Sequence, residues 1–173
     1  MTQHEAAALF SMPDDLPAAS RRVAAALARA GHPALIRIFP DSTRSAAEAA
    51  AAVGCPPEAI VKSLIFRRAD DDLPVLALIG GADRVDTTRL ATAVSGRIVR
   101  ADADFVRRHT GFAIGGVPPV GHATPPVSVI DQGLFALSTV WAAAGTPHAV
   151  FQTTTTDLAR IAGAITAAIA ADR

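Results

Sequence analysis

Hydrophobic and polar positions fall in blocks along the chain, and the blocks read in turn as helices and extended segments. The first runs from Asp14 to Ala30, where Asp14 or Asp15 can cap, Pro17 suits the first turn and Gly31 suits the stop. His32 and Pro33 lead into a short strand, Ala34 to Phe39, which breaks at Pro40 and Asp41. An alanine-rich helix follows, with Ser45 and Glu48 at capping-box spacing and Gly54, Pro56 and Pro57 ending it. Ile60 to Arg67 and Pro74 to Gly80 are apolar and β-rich, and the polar link from Ala69 to Asp72 predicts a hairpin turn between them. Asp86 or Thr87 opens a helix that stops at Gly96, Arg97 to Arg100 is a short strand, and Asp102 caps a helix ending near Gly111. Beyond a Gly/Pro-rich loop from Gly111 to Pro126 come a strand at Val127 to Ile130, extended segments around Val140 and Val150, and a final helix from about Thr156. Hairpins mixed with helices predict a mixed sheet or partly closed barrel covered by helices, rather than a purely parallel sheet.

Composition narrows the class. A length of 173 residues suits one domain, 1–173, in which residues 1–13 are expected to form a poorly ordered N-terminal segment. With 50% apolar and 18% charged residues the chain has the balance of a globular core rather than a disordered or fibrous segment. Sixteen basic side chains offset sixteen acidic ones, so no overall field gathers polyanions and any nucleic-acid contact has to be local. Cys55 is the single cysteine, which rules out an intrachain disulfide and suits a reducing compartment. Neither a basic-then-apolar leader nor a run approaching the roughly 18 apolar residues of a membrane span is present, so the expectation is a cytoplasmic protein without membrane contact.

The candidate chemistry starts from one oddity: fifteen of the sixteen basic residues are Arg, and Lys62 is the exception. It stands between Ala59-Ile60-Val61 and Leu64-Ile65-Phe66, in a segment that reads as a largely buried strand. A Lys on the solvent face of such a strand, its stem lying on apolar neighbours, is common. Its retention in an Arg-rich chain points instead to a need for a flexible point charge. The loop Thr110-Gly-Phe-Ala-Ile-Gly-Gly-Val-Pro-Pro-Val-Gly-His122 follows a helix rather than opening one, which excludes the usual phosphate loops. It is either a connector needing special backbone angles or a preorganised set of N–H donors for a carbonyl. The histidines at 4, 32, 109, 122 and 148 show no paired-ligand spacing, and Ser128, Ser138 and Asp131 lack a nucleophile elbow.

Three blocks, Glu58-Ala-Ile-Val-Lys-Ser-Leu-Ile-Phe66, Thr110 to Gly121 and Val127-Ser-Val-Ile-Asp131, together resemble the YbaK and prolyl-tRNA-synthetase-associated editing domains in order and spacing. The resemblance covers about Leu27 to the C-terminal helix. It implies a mixed, mainly antiparallel, barrel-like sheet surrounded by helices. It also implies free-standing, trans-acting hydrolysis of the ester on a mischarged aminoacyl-tRNA, typically tRNA for proline, with no metal or other cofactor. By the same resemblance Lys62 holds the 3′ end of the tRNA, and Gly115, Gly116, Val117, Pro118 and Pro119 form the loop that lines the aminoacyl pocket and positions the ester carbonyl. Asp131 matches an acidic position that orders the pocket or takes part in catalysis. Alanine-clearing members carry a His-Pro pair and a later Asn before a Thr-rich stretch. Here His148 and Thr153 to Thr156 fit, but Ala149 and Gln152 replace the Pro and Asn. The expected partners are the acceptor end of aminoacyl-tRNA and prolyl-tRNA synthetase, for a monomeric protein clearing a small aliphatic, thiol or hydroxyl side chain. The rival reading is a non-catalytic module that binds aminoacyl-tRNA or a synthetase; a small-ligand pocket unrelated to tRNA is the third.

Overall fold

The computed structural model describes residues 15–41, 43 and 45–173, so the expectation for residues 1–13 lies outside them. Among the described residues five α-helices, α1 (Ala18–Arg29), α2 (Ala46–Val53), α3 (Thr87–Val94), α4 (Ala103–Thr110) and α5 (Thr155–Ile161), accompany one sheet. Its strands are β1 (Ile36–Ile38), β2 (Ile60–Arg68), β3 (Leu73–Gly80), β4 (Ile98–Arg100), β5 (Val127–Asp131), β6 (Thr139–Ala143), β7 (Ala149–Thr154) and β8 (Ile165–Ala167). They run in the order β1-β7-β6-β2-β3-β5-β8, with β4 paired to β2 off this path. β1–β7, β2–β3, β2–β4 and β6–β7 are antiparallel, while β2–β6, β3–β5 and β5–β8 are parallel. The sheet is therefore mixed and mainly antiparallel; its end strands do not pair with each other, so it is barrel-like without closing.

The caps explain the helix limits. Ser45 Oγ accepts from Glu48 N at 3.1 Å, and Gly54 ends α2 in the left-handed region at φ 76°. Asp86 and Asp102 cap α3 and α4 through their carboxylates. Ahead of α1, Pro17 occupies the N-cap position in place of Asp15, and no side chain caps the helix there; Asp14 lies outside the described residues.

The apolar run in β3 is continuous because both faces of that strand are covered: Val75, Leu76, Ala77, Leu78 and Ile79 are all fully buried. Leu76 and Leu78 face a main core shared with Val23, Leu27, Phe105, Val117, Val140 and Phe151. Val75 and Ala77 face a second cluster under α3, with Leu90, Val94, Val129 and Ile169. A third, under α2, joins Phe39, Ala49, Ala50, Ile60, Trp141 and Val150.

The C-terminus departs from the helical expectation. α5 ends at Ile161, Gly163 turns the chain at φ 58°, and Ile165–Ala167 become β8, parallel to β5. Alanine favours helix there, but pairing with β5 and the capture of the Ile169 and Ala170 N–H groups by Asp131 override that propensity.

Candidate active site

β2 positions the site through the way its edges are used. One edge pairs with β3 without interruption, from Val61↔Gly80 to Arg68↔Leu73. The other is divided: β6 takes Ile60 and Val61, β4 takes Phe66 to Arg68, and residues 62–65 have no strand partner there. A cavity of about 550 Å³ occupies this gap. Every residue from Ile60 to Phe66 lines it. A cavity against a strand face would meet alternate residues, so this one runs along the strand's edge. Its walls come from Ala46 and Ala49 of α2, Trp141 to Ala143 of β6, Arg100 and Ala101 at the end of β4, Thr146 and Pro147 before β7, and Ile114, Gly115 and Val117 of the Gly/Pro-rich loop.

Lys62 is half-buried, and its Nζ donates to the main-chain carbonyl of Asp83. Burial pushes its pKa down; the Asp83 carboxylate opposes that shift and Arg84 adds to it. The Asp83 carboxylate itself is engaged by Arg173, at 3.1 Å from Nη2 and 3.2 Å from Nε. The Lys62 ammonium is thus held by a carbonyl oxygen and not by a carboxylate. Of its three N–H donors one is engaged among the described residues.

The loop from Gly111 is braced from behind. Thr110 Oγ1 donates to Val106 C=O at 2.7 Å and accepts from Phe112 N at 3.0 Å. Arg22 donates to Gly111 C=O at 3.1 Å and lies over the Phe112 ring. The His122 ring meets Pro118 C=O through Nε2 at 2.6 Å, and burial holds its pKa below the usual imidazole value. The two central glycines answer different demands. Gly115 takes φ 93°, where a side chain is strained, although a Cβ there would meet nothing closer than Pro147 Cγ at 3.6 Å. Gly116 is needed for contact: a Cβ would sit 2.6 Å from Thr146 Cα and 2.9 Å from Gly145 O. Its N–H is donated to Ala113 C=O at 3.1 Å, so it is not a spare donor for a ligand.

Among the residues singled out in the sequence, Lys62, Gly115 and Val117 meet at this cavity. Gly116, Pro118 and Pro119 are buried in the same loop but do not line it. His148 adjoins Pro147 without lining it either; its N–H donates to Thr146 Oγ1 at 3.2 Å and its C=O accepts from Phe39 N at 2.7 Å. Asp131 lies apart from the cavity. Its carboxylate accepts from Gly133 N at 2.9 Å, Ile169 N at 2.8 Å and Ala170 N at 2.9 Å, which ties the chain end to β5. Trp141, Thr146, Ile114 and Ser63 also line the cavity but were not assigned to a site from the sequence, since their place depends on which strands flank β2. Among the described residues no group of three or more His, Cys, Asp or Glu side chains could hold a metal ion. No helix among them is long and apolar enough to cross a membrane.

Comparison with known proteins gives this geometry a context. A family model described as the aminoacyl-tRNA editing domain matches residues 40–161. Uncharacterized protein YwhH of Bacillus subtilis (strain 168) is 28% identical over 120 residues, 69% of this chain and 76% of that protein. A solved structure described as a "putative trans-editing enzyme for prolyl tRNA synthetase" is 41% identical, with a TM-score of 0.86 over 91% of this chain and 100% of the other. The hypothetical protein APE2540 is 27% identical, with a TM-score of 0.80 over 87% of this chain and 99% of the other. Matched over most of its length, including β2, the cavity loop and β5, the chain belongs to the aminoacyl-tRNA editing domain family.

Proposed function

We propose that the protein is a free-standing aminoacyl-tRNA deacylase that acts in trans on a mischarged tRNA, with tRNA for proline carrying a small wrong amino acid as its substrate. The observation that carries this reading is the meeting of Lys62 with Gly115 and Val117 of the Gly/Pro-rich loop at one cavity beside the interrupted edge of β2. The cavity is mostly apolar-walled, as a pocket for a small side chain has to be. Lys62, with donors to spare, binds the terminal phosphate or ribose of the tRNA, and Arg100 at the cavity wall adds positive charge. The braced loop fixes the ester carbonyl. Water adds to the carbonyl carbon, the bond to the ribose oxygen breaks, and the proton passes to that oxygen, leaving free amino acid and tRNA. No protein nucleophile is required.

A deacylation panel tests the reading. The purified full chain is incubated with tRNA for proline charged with alanine, serine, threonine, cysteine or proline, and with the same amino acids on other tRNAs. Selective release of a small non-cognate amino acid from tRNA for proline is expected. Binding of charged tRNA without turnover across the panel would assign the protein to recognition alone.

A further inference from the structure

The divided edge of β2 leaves backbone groups facing the cavity, and their identity follows from the register. Ala69 N–H donates to Arg97 C=O on the β4 side, whereas Arg68 C=O accepts from Asp72 N–H on the hairpin side. The β2–β3 register from Val61 to Arg68 is unbroken, so alternation carries back along the strand without a slip. Odd-numbered residues therefore direct both N–H and C=O toward the β4/β6 edge, and even-numbered ones toward β3. The β6 ladder stops at Val61↔Ala142 and the β4 ladder begins at Phe66↔Arg100. Ser63, between them, has neither backbone group in a ladder on that edge. Its hydroxyl is also buried without a hydrogen-bond partner among the described residues. Polar groups left without a protein partner at a cavity wall are completed by a ligand or by water.

An aminoacyl ester offers what is missing: an α-ammonium donor and a carbonyl acceptor one residue apart. We propose that Ser63 grips the aminoacyl group as if it were one residue of an antiparallel strand, its C=O accepting from the α-ammonium and its N–H donating to the ester carbonyl oxygen. In this orientation the ester lies on the Lys62 side of Ser63, and so the ribose and phosphate run toward the ammonium of Lys62. The recognised class is an acyl group with a free α-amine, whatever its side chain, while the apolar walls select side-chain size. This proposal rests on the deacylase reading for its ligand.

The test separates the two. Full-length ¹⁵N-labelled protein is titrated with 3′-aminoacylamino-3′-deoxyadenosine carrying alanine, serine or threonine, and with the N-acetylated form of each. The Ser63 amide resonance is expected to move downfield, and the N-acetyl forms to bind about 10- to 100-fold more weakly, as loss of a charge-assisted hydrogen bond implies. Equal affinity for the acetylated forms, a shift at Ile65 in place of Ser63, or no Ser63 shift with any of the three would overturn the proposal. Deacylation of aminoacyl-tRNA is measured in parallel. Hydrolysis of free and N-acetylated substrates at the same rate refutes the role of Ser63 while the deacylase reading stands. A Ser63 shift in a protein that releases no amino acid refutes the deacylase and leaves the recognition intact.

Discussion

Gly116→Ala tests the cavity loop most directly, because its effect can be worked from the structure. The added Cβ would lie 2.6 Å from Thr146 Cα and 2.9 Å from both Gly145 O and Thr146 C. All three are backbone atoms, so no side chain can swing aside. Restoring an ordinary carbon–carbon separation of ~3.5 Å requires a relative displacement of roughly 0.9 Å between the loop and the segment before β7. Overpacking of this kind costs about 1–3 kcal/mol, which a domain of typical stability of ~5–15 kcal/mol survives. Both displaced segments form the cavity wall, through Gly115 and Val117 on one side and Thr146 and Pro147 on the other. A misplacement approaching ~1 Å at a reacting carbonyl costs on the order of 100-fold in rate. The expected outcome is a folded variant whose single-turnover deacylation falls about 100-fold while tRNA affinity stays close to wild type, since Lys62 is untouched. Urea titration gives the stability loss, and rapid quench gives the chemical step. Hydrolysis at the wild-type rate, or a loss that follows the unfolded fraction, would return the loop to the role of a connector.

Four further outcomes are expected. Lys62→Ala should lower tRNA-dependent hydrolysis about 10- to 100-fold without unfolding the half-buried site, and Lys62→Arg should restore little of it, because a planar fork does not replace a compact ammonium; turnover equal to wild type removes Lys62 from the mechanism. Asp131→Ala should cost at least ~3 kcal/mol in chemical denaturation, since three backbone donors lose their acceptor, yet turnover per folded molecule should persist; a catalytic loss exceeding the loss of folded protein would place the carboxylate in the chemistry. His122, whose pKa burial lowers, binds its proton later than the unfolded imidazole on acidification. The unfolded state then holds more protons below about pH 6.5, and stability should fall from there until the folded imidazole is also charged. His122→Gln should remove that part of the pH dependence, and identical profiles for both proteins would refute it. With sixteen basic and sixteen acidic residues, tRNA affinity should vary shallowly with salt, and a slope implying many released counterions would contradict a contact limited to the acceptor end.

The sequence by itself determined what is local. Caps at Ser45, Asp86 and Asp102, the stop at Gly54, and the turn between β2 and β3 are written in residues whose hydrogen bonds close within a few positions. The buried run of β3, the exceptional Lys62 and the dense loop at 111–122 were also legible, because apolar continuity, a lone ammonium and clustered glycines and prolines are properties of composition in a window. Long-range pairing was not. Ile165–Ala167 carry no strand signature and become β8 because β5 offers an open edge and Asp131 holds the amides of Ile169 and Ala170. The demand on Gly116 comes from Thr146, about thirty residues away along the chain, whose approach no pattern records. The cavity itself exists because β6 and β4 each cover only part of one edge of β2. Strand order and register arise from tertiary packing, in which each pairing depends on faces buried elsewhere, and so the place where the ladder fails could be decided only by the folded chain.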